Sequence, residues 1–318
     1  MSAAESIPDL NLRIDRTTRL LVLAPHPDDE MIGAGGLIQR VVAHNGAVHV
    51  VLMTSGDAFA EAVETVEGIK HPKPSDYRHY GAKREHESLA ALRGIGVGER
   101  QVTFLGFPDE GMCLLASRYL SIKRQFESPY TDRISPPLTE QVIRGVKYRG
   151  TDVRRELARV ISDFAPTVIV MPHQDDDHPD HCATHIFGKE ALLQIRRERR
   201  VLLRTRVLYY LVHDEPWPLI PDAVAGSTLR KPEDIPITDG HWSSFRLTES
   251  EIEAKRQALM AYTSQMRAIG RFLLAFAQSN ELFVDSEPAS RPECWCDARN
   301  VATESASPRP RRHPQRHR

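Results

Sequence analysis

Two short apolar runs, RLLVLAP (residues 19–25) and TVIVMP (167–172), each stop at a proline, and each proline is followed at once by histidine and acid. The first leads into His26-Pro27-Asp28-Asp29-Glu30, the second into His173-Gln174-Asp175-Asp176-Asp177-His178-Pro179-Asp180-His181. Runs this short, rich in branched residues and free of alternation, read as strands buried on both faces, as in a parallel sheet covered by helices. In an open parallel sheet the carboxyl ends of the strands share one edge, and ligands bind there. Two charged clusters far apart in the chain are therefore predicted to meet.

The remainder keeps the same rhythm. AVHVVLMTSGD (47–57), QVTFLGF (101–107) and LYYLVH (208–213) are further predicted strands. Helical patterns occupy residues 31–45, 81–96, 151–166, about 182–195 and 248–280. This alternation predicts an α/β fold, a Rossmann-like three-layer α/β/α sandwich with a mainly parallel sheet. Residues 1–18 read as an N-terminal extension to a domain spanning 19–285, and residues 108–150, with prolines at 108, 129, 136 and 137, as an insertion beside the site. Residues 286–318, dominated by Ser, Pro, Arg and His, read as a disordered basic tail that cannot build a core.

Charge narrows the partners. Lys plus Arg is 42 against 43 for Asp plus Glu, so no chain-wide attraction for nucleic acid or anionic lipid is expected. The run RRERR (196–200) and the five arginines of the last ten residues read as solvated. No stretch has the length of a signal peptide or a membrane span. Cys113, Cys182, Cys294 and Cys296 are too few and scattered for a disulfide framework, which predicts packing or surface cysteines, a reducing compartment and a cytoplasmic location. The C-W-C pair at 294–296 lacks a second pair to complete a zinc site.

The clusters need a chemical reason. Capping explains Asp28 or Asp29, because acids suit the first turn of a helix, but it does not explain the histidines. Three histidines and four aspartates between 173 and 181 are intolerable unless something positive sits among them. A metal ion answers this. His26 and Asp29, three apart, fall on one side of a starting helix; His178 and His181 repeat the interval, and either or both can reach the same centre. Two histidines and a carboxylate suit zinc, and equally iron(II). His173 remains an alternative ligand. The glycines 33, 35 and 36 do not make the dinucleotide fingerprint and point instead to close helix packing.

H-P-D-D-E after a strand, with a distant D-H-P-D-H, resembles the LmbE-like or PIG-L family of metal-dependent N-deacetylases. Supporting matches are K-R-E at 83–85, F-P-D-E-G-M at 107–112, V-H-D-E-P-W-P at 212–218, S-Q-M at 264–266 and N-E-L-F at 280–283. The resemblance implies metal ligands His26, Asp29 and His181, general base Asp28, and His178 as oxyanion stabiliser or acid. It implies that Asp180 orients and charges His178, and that Arg84 and Asp109 contact substrate. It also implies a zinc hydrolase acting on a small N-acetylated amino sugar or glycoconjugate. Some relatives carry a tyrosine two residues before the first histidine of H-P-D-H, and here that position is Asp176. The competing readings are a two-metal phosphoesterase, which needs bridging carboxylates and a basic phosphate cradle, and a non-catalytic metal-stabilised sugar-binding protein.

Overall fold

The first strand shows why this chain builds a covered sheet. Along RLLVLA, Leu20, Val22 and Ala24 join one hydrophobic cluster and Leu21 and Leu23 the other, so both faces of the strand are buried. The computed structural model describes residues 7–121, 123–199, 202–214, 216–219, 227–232, 241–285 and 296. In chain order these form β1 (Arg19–Ala24), α1 (Asp29–Ala43), β2 (Ala47–Thr54), α2 (Ala60–Glu67), α3 (Pro74–Gly94), β3 (Val102–Phe107), α4 (Met112–Ala116), α5 (Gly150–Phe164), β4 (Val168–Pro172), α6 (Pro179–Arg199), β5 (Arg206–Tyr210), β6 (His241–Arg246), α7 (Glu249–Met260), α8 (Thr263–Leu274) and β7 (Asn280–Asp285).

Among the described residues the sheet runs β3-β2-β1-β4-β5-β7-β6. The first five strands pair in parallel, and β7 and β6 close one edge antiparallel. Helices α1, α3, α7 and α8 cover one face and α4, α5 and α6 the other, which makes the three-layer α/β/α sandwich expected. Strand β1 lies between β2 and β4, with Val22 opposite both Val50 and Val170. The strand order reverses there, and crevices open outside the carboxyl ends of strands at such a point. His26 and the cluster from His173 follow the two strands that flank it.

Close packing explains the glycines after the first cluster. A Cβ on Gly33 would lie 2.6 Å from the Tyr210 ring, and one on Gly36 would lie 2.3 Å from Leu247 Cδ2. Behind them a buried ion pair ties α1 to the far edge of the sheet. Glu281 takes Lys255 Nζ at 2.6 Å and the backbone N–H groups of Gly36 and Leu37 at 2.6 and 2.9 Å.

Two expectations change. Cys113 on α4 and Cys296 form a disulfide with Cα atoms 5.1 Å apart, so these cysteines are neither isolated packing residues nor free surface thiols. The reducing-compartment argument loses its premise; among the described residues no helix is long and apolar enough to cross a membrane. Residues 7–18, the described part of the N-terminal extension, reach the sheet through the bridge of Asp9 to Ser244 and the bond from Leu10 N–H to Ser244 O at 2.8 Å. The predicted helical region 248–280 divides into α7 and α8, and its last residue opens β7. Apart from Cys296, the tail from 286 lies outside the described residues.

Candidate active site

Asp29 is the centre of the first cluster. As the first residue of α1 it turns its carboxylate back, so that Oδ2 accepts the His26 N–H at 2.9 Å and stands 3.1 Å from His26 Nδ1. The second cluster arrives on α6, where His181 Nε2 reaches the same oxygen at 3.1 Å. His26 Nδ1 and His181 Nε2 thus both approach one oxygen of Asp29 across the switch in strand order.

Both histidines are gripped from behind. His26 Nε2 lies 3.1 Å from Asp109 Oδ1, and His181 Nδ1 lies 3.1 Å from Asp176 Oδ2. Carboxylates placed behind imidazoles orient them and raise their basicity as metal ligands. The oxygens of Asp176 also accept N–H groups from Val212, His213 and His178, at 2.9, 3.2 and 3.1 Å. Burial alone would lower the His181 pKa, but Asp176 and Asp29 overcome it and raise it to about 9. Such an environment calls for positive charge at the ring.

The donors suit a divalent cation better than a proton. His181 Nε2 is fully buried and makes no hydrogen bond despite its 3.1 Å approach to Asp29, as is true of His181 Nδ1 beside Asp176 and His26 Nε2 beside Asp109, so both rings keep buried nitrogens without a hydrogen-bond partner. Ligands around a tetrahedral ion with bonds of about 2.0–2.1 Å stand about 3.4 Å apart, close to this spacing. Neighbouring side chains offer further ligand atoms within 4.8 Å of one another: His26 with His178 and His181, Asp29 with His181 and His213, and His26 with Asp109 and Asp180.

Asp28 sits beside this point in an unusual backbone conformation, φ 122°. Its N–H donates to Glu30 Oε2 at 2.9 Å, and Glu30 Oε1 is held by the hydroxyls of Ser88 and Tyr262. Arg84 crosses from α3 to donate to Asp28 Oδ2 at 3.1 Å, to Pro27 O at 2.8 Å and to Gly56 O at 2.8 Å. Gly56 is required there: its φ is +63°, and a Cβ would lie 2.0 Å from Arg84 Nη1. Burial, only partly offset by Arg84, pushes the Asp28 carboxyl up to about 7. A carboxyl poised near neutrality is suited to proton transfer.

His178 faces the same space from the N-terminal end of α6. Its Nδ1 accepts the Asp180 backbone N–H at 3.2 Å, which assigns the ring proton of the neutral imidazole to Nε2. Burial, then His26, His213 and His181, lower its pKa well below the usual value, so the ring is a neutral donor. The Asp180 carboxylate does not face His178 as expected. It accepts the N–H groups of Glu110 and Met112 at 2.7 and 3.1 Å and approaches His26 Nε2 at 3.6 Å, so it holds the 109–112 loop in place.

Arg84 and Asp109, expected on substrate, are 4% and 5% exposed. Arg84 is occupied with Asp28 and two carbonyls, and Asp109 with His26 and the N–H groups of Ala58 and Glu110. His173 points elsewhere: its Nδ1 accepts the Asp175 N–H at 3.2 Å, and its ring packs on Tyr209. Two residues not singled out from sequence join the site. Asp176 stands in the cluster itself; His213 follows β5, its ring 4.7 Å from that of His181 and stacked on Phe272.

Known proteins share this chain's fold and family. Residues 21–192 match the family described as PIG-L: GlcNAc-PI de-N-acetylase. A 1D-myo-inositol 2-acetamido-2-deoxy-alpha-D-glucopyranoside deacetylase of Rhodococcus opacus (strain B4) is 28% identical, over 78% of this chain and 82% of its own. An enzyme of the same name from Thermobifida fusca (strain YX) is 25% identical, over 83% and 89%. Two solved structures share the fold. A deacetylase of the teicoplanin biosynthesis pathway superposes with a TM-score of 0.53 at 19% identity, over 84% of this chain and 97% of its own. GalB, the 4-carboxy-2-hydroxymuconate hydratase of Pseudomonas putida KT2440, superposes with a TM-score of 0.54 at 15% identity, over 86% and 98%. The family match covers more than half of the 318 residues and contains both charged clusters, so this chain belongs to the PIG-L, or LmbE-like, family of N-deacetylases.

Proposed function

We propose that the protein is a zinc-dependent hydrolase that removes the acetyl group from an N-acetylated amino sugar or glycoconjugate. The observation that carries this reading is the approach of His26 Nδ1 and of His181 Nε2 to the same Asp29 Oδ2, each at 3.1 Å, beside Asp28. Those three side chains would hold the ion, with Asp109 and Asp176 orienting the two imidazoles. When bound, the ion polarises the amide carbonyl and brings a water's pKa near neutrality.

The chain's own groups supply the rest. Asp28, kept in place by Glu30 and Arg84, accepts the proton of the attacking water. The His178 Nε2–H is directed at the charge that grows on the former carbonyl oxygen, an interaction stronger in the transition state than with the substrate. As the C–N bond breaks, its electron pair stays on nitrogen, which takes up the proton that Asp28 removed from the water; the products are acetate and an amine.

The same fold carries a hydratase, so chemistry must be read from the site. A phosphoesterase needs a basic cradle, yet the cation next to the cluster, Arg84, is buried and committed to Asp28. Acetate release from a panel of N-acetylated sugars tests the assignment, with zinc-loaded and iron(II)-loaded protein compared. Asp28→Ala is expected to keep about one ion per chain while losing about 100-fold or more in turnover. Full turnover by this variant overturns the general-base role, and a binding protein without catalysis would show no acetate release in either form.

A further inference from the structure

Most of the site is sealed. The side chains of His26, Asp29, Asp180 and His181 are at most 9% exposed, whereas His178 is 24% and Glu110 48% exposed. A substrate therefore arrives past Glu110 and His178. Glu110 is held there against its own backbone preference: its φ is +59°, the left-handed region that favours glycine. The Asp180 and Asp109 carboxylates fix that conformation by accepting the Glu110 N–H at 2.7 and 3.0 Å. Strain of this kind, maintained by buried partners at the mouth of a site, points to a use for the side chain.

Glu110 Oε1 stands 3.7 Å from His178 Nε2, too far for a direct hydrogen bond. A single atom placed between them can lie about 2.9 Å from both, within hydrogen-bond distance of each. His178 presents a proton there and Glu110, when ionised, can only accept one. The atom that suits both in turn is the nitrogen of a secondary amide, which has an N–H to give before cleavage and, once the oxyanion collapses and releases His178, a lone pair to accept a hydrogen bond from its Nε2–H.

We propose that Glu110 is a substrate-binding residue that accepts the amide N–H of the N-acetyl group and then pairs with the ammonium of the product, holding the leaving nitrogen beside His178 Nε2. This rests on the deacetylase reading above and makes secondary acetamides the preferred substrate class.

Glu110→Gly tests it cleanly, because glycine suits the backbone conformation and relieves the strain. The full metal-loaded chain is expected to melt at the same or a higher temperature, while kcat/KM for N-acetylglucosamine falls about 10- to 100-fold, as for loss of a hydrogen bond to a charged group. The dissociation constant of glucosamine, measured by calorimetry, is expected to rise by a similar factor, and Glu110→Gln, which keeps an acceptor but no charge, to lie between. Unchanged kcat/KM and unchanged glucosamine affinity in Glu110→Gly overturn the proposal, as does a lowered melting temperature that Glu110→Gln restores together with full activity. Should the wild type release no acetate from any acetylated sugar, the deacetylase reading fails on its own. Glucosamine binding still decides Glu110 in that case, since equal or absent affinity in wild type and Glu110→Gly overturns its role.

Discussion

Arg84→Met separates two roles that a buried arginine beside a catalytic acid can play. The substitution keeps the length and apolar stem of the side chain and removes its charge and donors. Asp28 then loses the larger of the two charges, those of Arg84 and His26, that oppose its burial, one that stands 3.1 Å away. An opposite charge at such a distance lowers a carboxylate by about 1–3 pKa units, equivalent to about 1.4–4 kcal/mol. With Arg84 present the carboxyl stands at about 7; without it the base is protonated through the neutral range. Because the base works only when ionised, activity rises as pH rises through its pKa. The rising limb of the kcat profile is therefore expected to move up by about 1–3 units, and kcat at pH 7 to fall about 5- to 500-fold. KM for an N-acetylated sugar stays close to wild type. The carbonyls of Pro27 and Gly56 lose their donor, at about 1–3 kcal/mol each, so a lower melting temperature accompanies the change. Arg84→Lys retains the charge without the fork and should recover part of the pH shift. A raised KM with an unmoved pH profile would refute this reasoning and return Arg84 to substrate binding.

Burial and the nearby Asp109 raise Asp57 from the ordinary 3.8 to about 8. Between those values the folded chain keeps a proton that the unfolded chain has released, so stability falls as pH rises across that window. Asp57→Asn should accordingly gain melting temperature over wild type from pH 5 to pH 8, and parallel curves for the two proteins would exclude the effect. Glu281→Ala leaves Lys255, 1% exposed, without its counterion and frees two N–H groups of α1. A loss of about 3–5 kcal/mol is expected in denaturant titration, and a loss below 1 kcal/mol would mean that water reaches the pair.

Much of the architecture was legible because β1 and β4 are uniformly apolar and end at charged turns. The antiparallel edge was not. In β6 the buried positions include Ser243 and Ser244, so HWSSFR offers little apolar signal, and β7 follows α8 so closely that the two merge into one pattern. Helix α3 begins seven residues before the predicted start, in a polar first turn whose marks are Pro74 at the N-terminus and Asp76 accepting the Lys73 N–H. The disulfide was hidden by its span, since Cys113 and Cys296 are 183 residues apart and spacing carries no trace of the contact.

Within the site, the three-residue intervals found the groups that converge because they share a helix start. What the intervals lack is direction. Asp180 is adjacent to His181 and two residues from His178, yet its carboxylate turns to the loop that carries Glu110 and Met112. Asp176, one of three successive acids, is distinguished from its neighbours only by the position of His181 Nδ1 and the amides after β5. His213 becomes part of the site through the parallel pairing of β5 with β4, which sets their ends side by side.

The central claim is that one divalent ion is shared by His26, Asp29 and His181. Crystals of zinc-loaded protein, with anomalous scattering recorded on both sides of the zinc edge, test it most directly. The account predicts a single strong peak about 2.0–2.2 Å from His26 Nδ1, Asp29 Oδ2 and His181 Nε2, lost in His181→Ala. A peak seated instead among His26, Asp109 and Asp180, or no peak with the protein saturated in zinc, would contradict it.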